Sequence, residues 1–447
     1  MSVVWSGSEF HNDTRETLAE FAAAEKMLDP LTSPFNTSEQ VCTYLFVAID
    51  NLGLLLRYLS KTKELPMLAF YSMSLRMSLQ NFKSFRSLGA AFSSADFGTE
   101  IDTTIRSLHN SLRGQQPLSV NHNSKGSIMN ERDRIDPQSR EPLEGLLSFM
   151  PGGFNGIPDI GARREAVAGL LAAMGADQPV NPNVTHEDHF APGHNGAPDV
   201  RVRIYTPTNA QGKLPGLVYI HGGGMILGSI EGEEANCIAM CEKLGIVVAS
   251  VDYRKSPENP YPAAPDDCYA GASWVFANAA ALGIDSSNIG IYGGSAGGGL
   301  AIAAALMARD RSGPKFRYMM PIYPMIDDRN VTHSSHEVTE VGIWDRAGNL
   351  EAWECYLGGK PADQYAAPTR ATDLTHLPPA FIDVGQVDMF RDEDFDFAMR
   401  LNQAGVPCEF RVNPGAFHAS ETFAPEAELS KRIWAGRYEA LRRFIDA

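Results

Sequence analysis

Ile289-Gly290-Ile291-Tyr292-Gly293-Gly294-Ser295-Ala296-Gly297-Gly298 is the stretch on which the fold turns. A short apolar run of buried-strand type, Asn288 to Tyr292, leads into Gly293-x-Ser295-x-Gly297, and the Ala-rich helix Ala296 to Arg309 follows at once. Alone, the glycine–serine pattern is weak. Between a strand and a helix it becomes specific, because the turn must then be very tight and must hold Ser295 in a strained conformation at the top of a sheet. Side chains two residues to either side would collide with the neighbouring strand and helix, which accounts for Gly293 and Gly297. The helix N-terminus points free N–H groups at whatever reacts there. The competing reading is a helix-capping serine in a tight packing turn.

Upstream, His221-Gly222-Gly223-Gly224 closes another buried strand, Leu217 to His221. Three glycines after a strand let backbone N–H groups face a ligand unobstructed, and with the Ala296 N–H they form a candidate oxyanion hole. His221 reads as structural, its ring hydrogen-bonding the loop. Downstream, a nucleophilic serine needs a base, and this architecture supplies its partners in the order serine, acid, histidine. His333, His336, His376 and His418 follow Ser295, and His418 alone also follows an acid at the end of the strand Phe381 to Val384. It is expected in a turn, Asn413 to His418, beyond the strand Cys408 to Val412. Among the acids, Asp383 lies inside the strand, and Asp392, Glu393 and Asp394 open a helix, where carboxylates serve as caps and dipole partners. Asp388 occupies the loop between them and can reach the base.

The remaining pattern is of strands alternating with helices, the mark of a mostly parallel sheet covered on both faces. Val200 to Thr206 reads as the first strand, followed by Ile246 to Tyr253 and Tyr318 to Tyr323, with helices Asp266 to Leu282, Asp392 to Gln403 and Glu426 to Ile445. His186, His189 and His194 could suggest a metal site but suit an exposed loop, and His333 and His336 read as solvated loop residues, so no metal is expected. Before Met129 the character differs. Residues 1–112 read as a helical segment with a Met-rich face that could pack on the rest of the chain or on a second copy, making a homodimer possible. Residues 113–128, rich in Gly, Ser and Asn, read as a linker.

Bulk properties bound the function. At roughly 100–200 residues per domain, 447 residues allow two or three domains, or one large one with an appendage. A net charge of -16 excludes a phosphate-binding surface and with it a nucleic-acid partner. Six scattered cysteines (Cys42, Cys237, Cys241, Cys268, Cys355, Cys408) read as reduced, buried thiols. The start, MSVVWSGSEFHNDTRE, lacks a basic region before an apolar one. The most apolar run, Val41 to Leu56, is broken by Asp50 and Asn51 and falls short of the roughly 20 residues of a membrane span. No integral membrane segment and a cytoplasmic location are therefore expected.

Residues 129–447 resemble the hormone-sensitive-lipase-like family of bacterial esterases in the α/β-hydrolase superfamily. The resemblance rests on HGGG at His221, VDYRKSPENPYPAAPDDCYAG from Val251, YGGSAGG at Tyr292, VDMFRDE at Val387 and NPGAFH at Asn413. It implies an α/β-hydrolase fold, ester hydrolysis through an acyl-enzyme, no cofactor, and short to medium acyl chains. It puts the nucleophile on Ser295, the acid on Asp388, the base on His418 and the oxyanion donors on Gly223, Gly224 and Ala296. It further implies a helical cap from about residues 137–176 and 332–357. Departures from the family pattern fall at Gly294 (usually Asp, Glu or Thr), Met225 (usually aromatic), Gly299 (usually Asn) and Ala419 (usually Gly), and bear on pocket shape, including a more open, Met-lined acyl site. Two other functions remain open: a small-ligand receptor, as in the plant gibberellin receptors that lack the histidine, and an amidase or peptidase.

Overall fold

The computed structural model describes residues 131–175 and 181–447, without the side chains of 172–175. The expected N-terminal helical segment, the linker and Cys42 lie outside the described residues. Among the described residues, eight strands form one sheet in the order β1-β2-β4-β3-β5-β6-β7-β8. They are β1 (Val184–Ala191), β2 (Val200–Pro207), β3 (Leu214–Ile220), β4 (Val247–Asp252), β5 (Ile284–Gly294), β6 (Met319–Ile322), β7 (Ala380–Val387) and β8 (Cys408–Phe417). The pairs β1–β2 and β2–β4 are antiparallel, and every other pair is parallel.

The parallel strands are apolar on both faces because helices cover both. Along β3, Val218 and Ile220 enter one core with Cys268 and Ala272 of α4 (Ala263–Asn278) and Leu300 and Ala304 of α5 (Ala296–Asp310). Leu217 and Tyr219 enter the opposite core with Cys237 and Met240 of α3 (Glu234–Leu244) and Ala440 and Leu441 of α10 (Glu428–Asp446). This alternation is the period-2 geometry of a strand. The mixed sheet with helices on both sides is the α/β-hydrolase fold expected from the sequence.

Among the described residues, two α-helices precede the sheet, α1 (Pro137–Phe149) and α2 (Ile160–Gly175), and two lie between β6 and β7, α6 (His333–Glu337) and α7 (Arg346–Leu357). Buried Arg163 of α2 pairs with Glu351 of α7 at 2.7 Å. Asn155 donates to Asp345, the N-cap of α7, at 2.6 Å. Arg164 reaches from α2 to the Ile226 carbonyl at 2.6 Å, tying these helices to the loop after β3.

Several expectations need correction. Of the histidine-rich stretch expected as an exposed loop, His186 and His189 lie in strand β1 and only His194 falls in the connection after it, so Val200 begins the second strand. An antiparallel edge strand exposed on both faces has no apolar alternation to betray it; its partner is visible only in the register Val184↔Pro207 to Ala191↔Val200. His333 and His336 sit on α6 rather than in a loop, though exposed. Strand β8 runs through Pro414 and Gly415 to Phe417, with an irregularity opposite Gly385 and Val387. Cys237, Cys241 and Cys268 are buried, but Cys355 and Cys408 are only half-buried. No helix among the described residues is long and apolar enough to cross a membrane.

Candidate active site

Adjacent parallel strands present their carboxyl ends along one edge of the sheet, where such folds collect ligands. Ser295 follows β5, Asp388 follows β7, His418 follows β8, and the triple glycine follows β3. Ser295 adopts φ 57° and ψ -120°, a conformation that L-residues avoid. The backbone around it supplies the constraint. Its N–H donates to the Ile322 carbonyl at 2.9 Å, and its own carbonyl accepts from Met325 at 3.0 Å and Gly299 at 3.1 Å. A Cβ on Gly293 would stand 2.2 Å from the Gly297 carbonyl oxygen, and one on Gly297 2.1 Å from that of Ile220. The bend closes only with bare α-carbons at both positions.

The structure brings Ser295, His418 and Asp388 into one line. His418 Nε2 lies 3.0 Å from Ser295 Oγ, and His418 Nδ1 lies 2.8 Å from Asp388 Oδ2. Exposure is 7% for Ser295, 5% for His418 and 0% for Asp388, so the line is shielded from competing water. A carboxylate accepts only, so Nδ1 carries the ring proton and leaves the Nε2 lone pair facing the serine hydroxyl. The Phe390 N–H donates to Asp388 Oδ1 at 3.0 Å and fixes the carboxylate plane. Tyr323 and Phe390 meet the imidazole at ring distances of 4.8 Å and 5.2 Å, both edge-on.

On the other side of Ser295, the Gly223 carbonyl accepts from the N–H groups of Ile226 (3.1 Å) and Leu227 (2.7 Å), curling the loop. Among the described residues, no acceptor is engaged by the N–H of Gly223 or Gly224. Ala296 is the first residue of α5, where an N–H has no partner within the helix. His221 Nδ1 donates to the Gly222 carbonyl at 2.8 Å, and its ring stacks on Tyr253 at 4.2 Å. Burial first, and the Lys255 charge second, push its pKa down to about 4, so the ring is neutral near pH 7. Met225, expected to line an open acyl site, packs instead in the main core at 1% exposure. Gly294 has ordinary room for a side chain, its nearest neighbour being the Tyr323 ring at 3.5 Å.

A family model described as the alpha/beta hydrolase fold matches residues 217–422. Carboxylesterase NlhH of Mycobacterium tuberculosis is 36% identical over 323 residues, which is 71% of this chain and 98% of that protein. The solved structure of a bacterial heroin esterase is 37% identical with a TM-score of 0.66, covering 70% of this chain and 98% of that one. A hyperthermophilic esterase from the archaeon Pyrobaculum calidifontis is 33% identical with a TM-score of 0.64, covering 70% and 99%. The chain belongs to the α/β-hydrolase-fold carboxylesterases.

In this esterase Asp392, Glu393 and Asp394 open a helix as expected, with half-buried Asp392 accepting the Ser334 N–H at 2.7 Å. Both Glu393 and Asp394, on α8 (Arg391–Gln403), are buried. Glu393 Oε1 accepts from the N–H groups of Ile326 (3.0 Å) and Asp327 (3.2 Å). Neither oxygen of Asp394 has a hydrogen-bond partner among the described residues. Burial, then the charges of Glu393, Asp388 and Asp383, hold the Asp394 carboxyl well above its usual range. The folded protein keeps a proton there that the unfolded chain releases above about pH 4, so this group lowers stability as pH rises. Asp394→Asn is therefore expected to raise Tm, and by more at about pH 8 than at about pH 5. An equal change at both pH values would mean that the carboxyl is already ionised in the fold.

Sequence reasoning also missed Tyr323, Glu421 and Arg437. A buried cluster joins them. Arg437 of α10 pairs bidentately with Asp383 of β7 at 2.9 and 3.0 Å and with Glu421 at 2.6 Å. The Tyr323 hydroxyl donates to Glu421 at 2.6 Å. An arginine inside an amphipathic C-terminal helix carries no local signal of burial. The one clue in the sequence was Asp383, a carboxylate inside an otherwise apolar strand, which required a buried cation as its partner.

Proposed function

We propose that this carboxylesterase cleaves small-molecule esters of short to medium acyl chain through an acyl-serine intermediate. Ser295 is the nucleophile, His418 the base, Asp388 the orienting acid, and the N–H groups of Gly223, Gly224 and Ala296 are the oxyanion donors. The observation that carries this reading is the unbroken hydrogen-bonded line from Ser295 Oγ through His418 to Asp388. Ser295 Oγ attacks the ester carbonyl carbon as its proton passes to His418 Nε2. The negative charge moves to the carbonyl oxygen, where each oxyanion donor is worth about 3–4 kcal/mol. As the carbonyl re-forms, the alkoxide leaves and takes the proton from Nε2. Water then attacks the acyl-serine with its proton passing to Nε2, and collapse returns that proton to Ser295 and frees the acid. The reaction needs no metal or organic cofactor. Unpaired cysteines such as Cys237 and Cys268 support the cytoplasm as its compartment.

Trp344 supports the preference for short chains. Its six-membered ring lies so close to Gly224 that a Cβ there would meet it at 2.2 Å. Its Nε1–H donates to Asn349 at 3.0 Å, which pins the indole against the oxyanion loop. We take the helices before β1 and the insertion after β6, which carries Trp344, as the cap. A nitrophenyl ester series from acetate to decanoate, run beside the matching anilides, tests the proposal. Turnover is expected to fall steeply beyond medium chains, and esters to exceed anilides. Trp344→Ala is expected to shift the optimum to longer acyl groups, each methylene newly accommodated being worth about 1–3 kcal/mol. Anilides cleaved as fast as esters would make the protein an amidase, and binding without turnover would make it a receptor.

A further inference from the structure

Asp388 sets the tautomer of His418, but something else must hold the histidine's backbone. The next residue, Ala419, adopts φ 57° and ψ 29°, a left-handed conformation in which glycine is free and alanine is not. Such a conformation persists only where the surroundings impose it. Two residues further, on the short helix α9 (Ser420–Phe423), Glu421 is 3% exposed, and its Oε1 accepts at once from the Tyr323 hydroxyl and from Arg437, each at 2.6 Å. Arg437 is itself buried, 2% exposed, and bonded through its remaining nitrogens to Asp383. Asp383 also fixes the other end of the chain, since its carbonyl accepts the Tyr323 N–H at 2.7 Å. Tyr323 is held at φ 33°, again outside the ordinary regions, with its ring edge-on to His418.

The charges agree with this arrangement. Burial would raise the Glu421 carboxyl, yet Arg437 holds it below the usual carboxylate range. Burial and the Glu421 charge keep the phenol proton on Tyr323. The phenol is thus the donor, and the ionised glutamate joins two donors that arrive from different elements.

We propose that Tyr323, Glu421 and Arg437 form a positioning relay for His418. Arg437, anchored by Asp383, locks Glu421; Glu421 locks the left-handed turn behind the histidine and the tyrosine that walls one side of its imidazole. The inference rests on the proposed Ser295–His418–Asp388 mechanism and deepens it. Tyr323, Glu421 and Arg437 do not touch the reacting atoms. They set where Nε2 points, so their loss appears in kcat rather than in KM.

The test uses the full chain with a nitrophenyl butyrate substrate, reading kcat, KM and Tm for Tyr323→Phe, Glu421→Gln, the double variant, Ser295→Ala, and Val202→Ala as a control. Val202 is buried in β2, remote from His418 along the sheet, so it lowers stability without touching the relay. Glu421→Gln is expected to lower kcat about tenfold with KM within about twofold, a loss below the about hundredfold of a full ångström of misplacement. Tyr323→Phe, which keeps the ring and removes only the hydroxyl, is expected to cost about threefold. The double variant is expected to fall short of the product of the two, because both changes break one chain. Val202→Ala is expected to lower Tm and leave kcat unchanged. If Tyr323→Phe and Glu421→Gln lose Tm but keep kcat, the cluster is structural glue and the relay is wrong. A loss of kcat in Val202→Ala matching that in Glu421→Gln at equal Tm overturns it as well. If Ser295→Ala stays active, the mechanism itself fails, a result separate from either of these.

Discussion

Ser295→Gly is expected to abolish ester hydrolysis and at the same time to make the protein more stable. Both effects follow from one geometry. On the proposed mechanism no other group can carry the acyl chain, and loss of such a nucleophile lowers kcat by about 10⁶. The backbone at this residue, φ 57° and ψ -120°, is held by the bonds to Ile322, Met325 and Gly299. A side chain in so sparsely populated a region costs on the order of 1–3 kcal/mol, which glycine does not incur. Against this, glycine gives the unfolded chain more freedom, which lowers stability by about 0.4–1 kcal/mol. Relief of strain outweighs that loss, so Ser295→Gly is expected to gain on the order of 1 kcal/mol. Ser295→Ala keeps a Cβ and the strain, and is the control: equally inactive, but with Tm close to the parent. Calorimetry on the three proteins decides the matter. A glycine variant no more stable than the alanine variant would show that the bend stores no strain at this residue.

The parts of the molecule legible from sequence share a physical property: their neighbours in space are also their neighbours in the chain. The elbow is a strand, a glycine-flanked serine and a helix in direct succession, so its geometry is dictated within about ten residues. The central strands are continuous apolar runs because both faces are covered, and that pattern needs no partner to be read. The histidine and the acid were narrower inferences. Chain order and the end of β7 singled out His418 and Asp388, and these are the side chains the fold brings to Ser295. What escaped depends on distant packing. Strand β1 owes its conformation to pairing with β2, and its exposed residues carry no periodicity. Glu393 and Asp394 occupy a helix N-terminus, where nothing in the local pattern signals burial; Glu393 is bonded there by the loop after β6, far away in the chain. Arg437 lies 54 residues from the aspartate it pairs with. No local pattern encodes such a contact.

Asp388→Asn separates the orienting acid from the other buried carboxylates around it, and it is the sharper test of the site. Asparagine fits the cavity and can still accept the Phe390 N–H on its oxygen, so the fold should not change. Its amide then faces His418 Nδ1 with a donor where the carboxylate offered an acceptor. The imidazole must answer with the opposite tautomer, placing its proton on Nε2, which faces Ser295 Oγ across 3.0 Å. The base is then blocked by its own hydrogen, and kcat is expected to fall by about 10⁴, the loss seen when such a tautomer is reversed. That is about 5.5 kcal/mol of transition-state stabilisation, far above the worth of one ordinary hydrogen bond. Glu393→Gln and Asp394→Asn change the other two buried acids of this region, both held protonated by burial, and neither touches His418. They are expected to leave kcat within about threefold of the parent, since a neutral group with no hydrogen bond to the imidazole alters neither its tautomer nor the charge facing it. Should Asp388→Asn keep more than a tenth of the parent rate, or should either neighbour prove as damaging, the acid has been assigned to the wrong carboxylate.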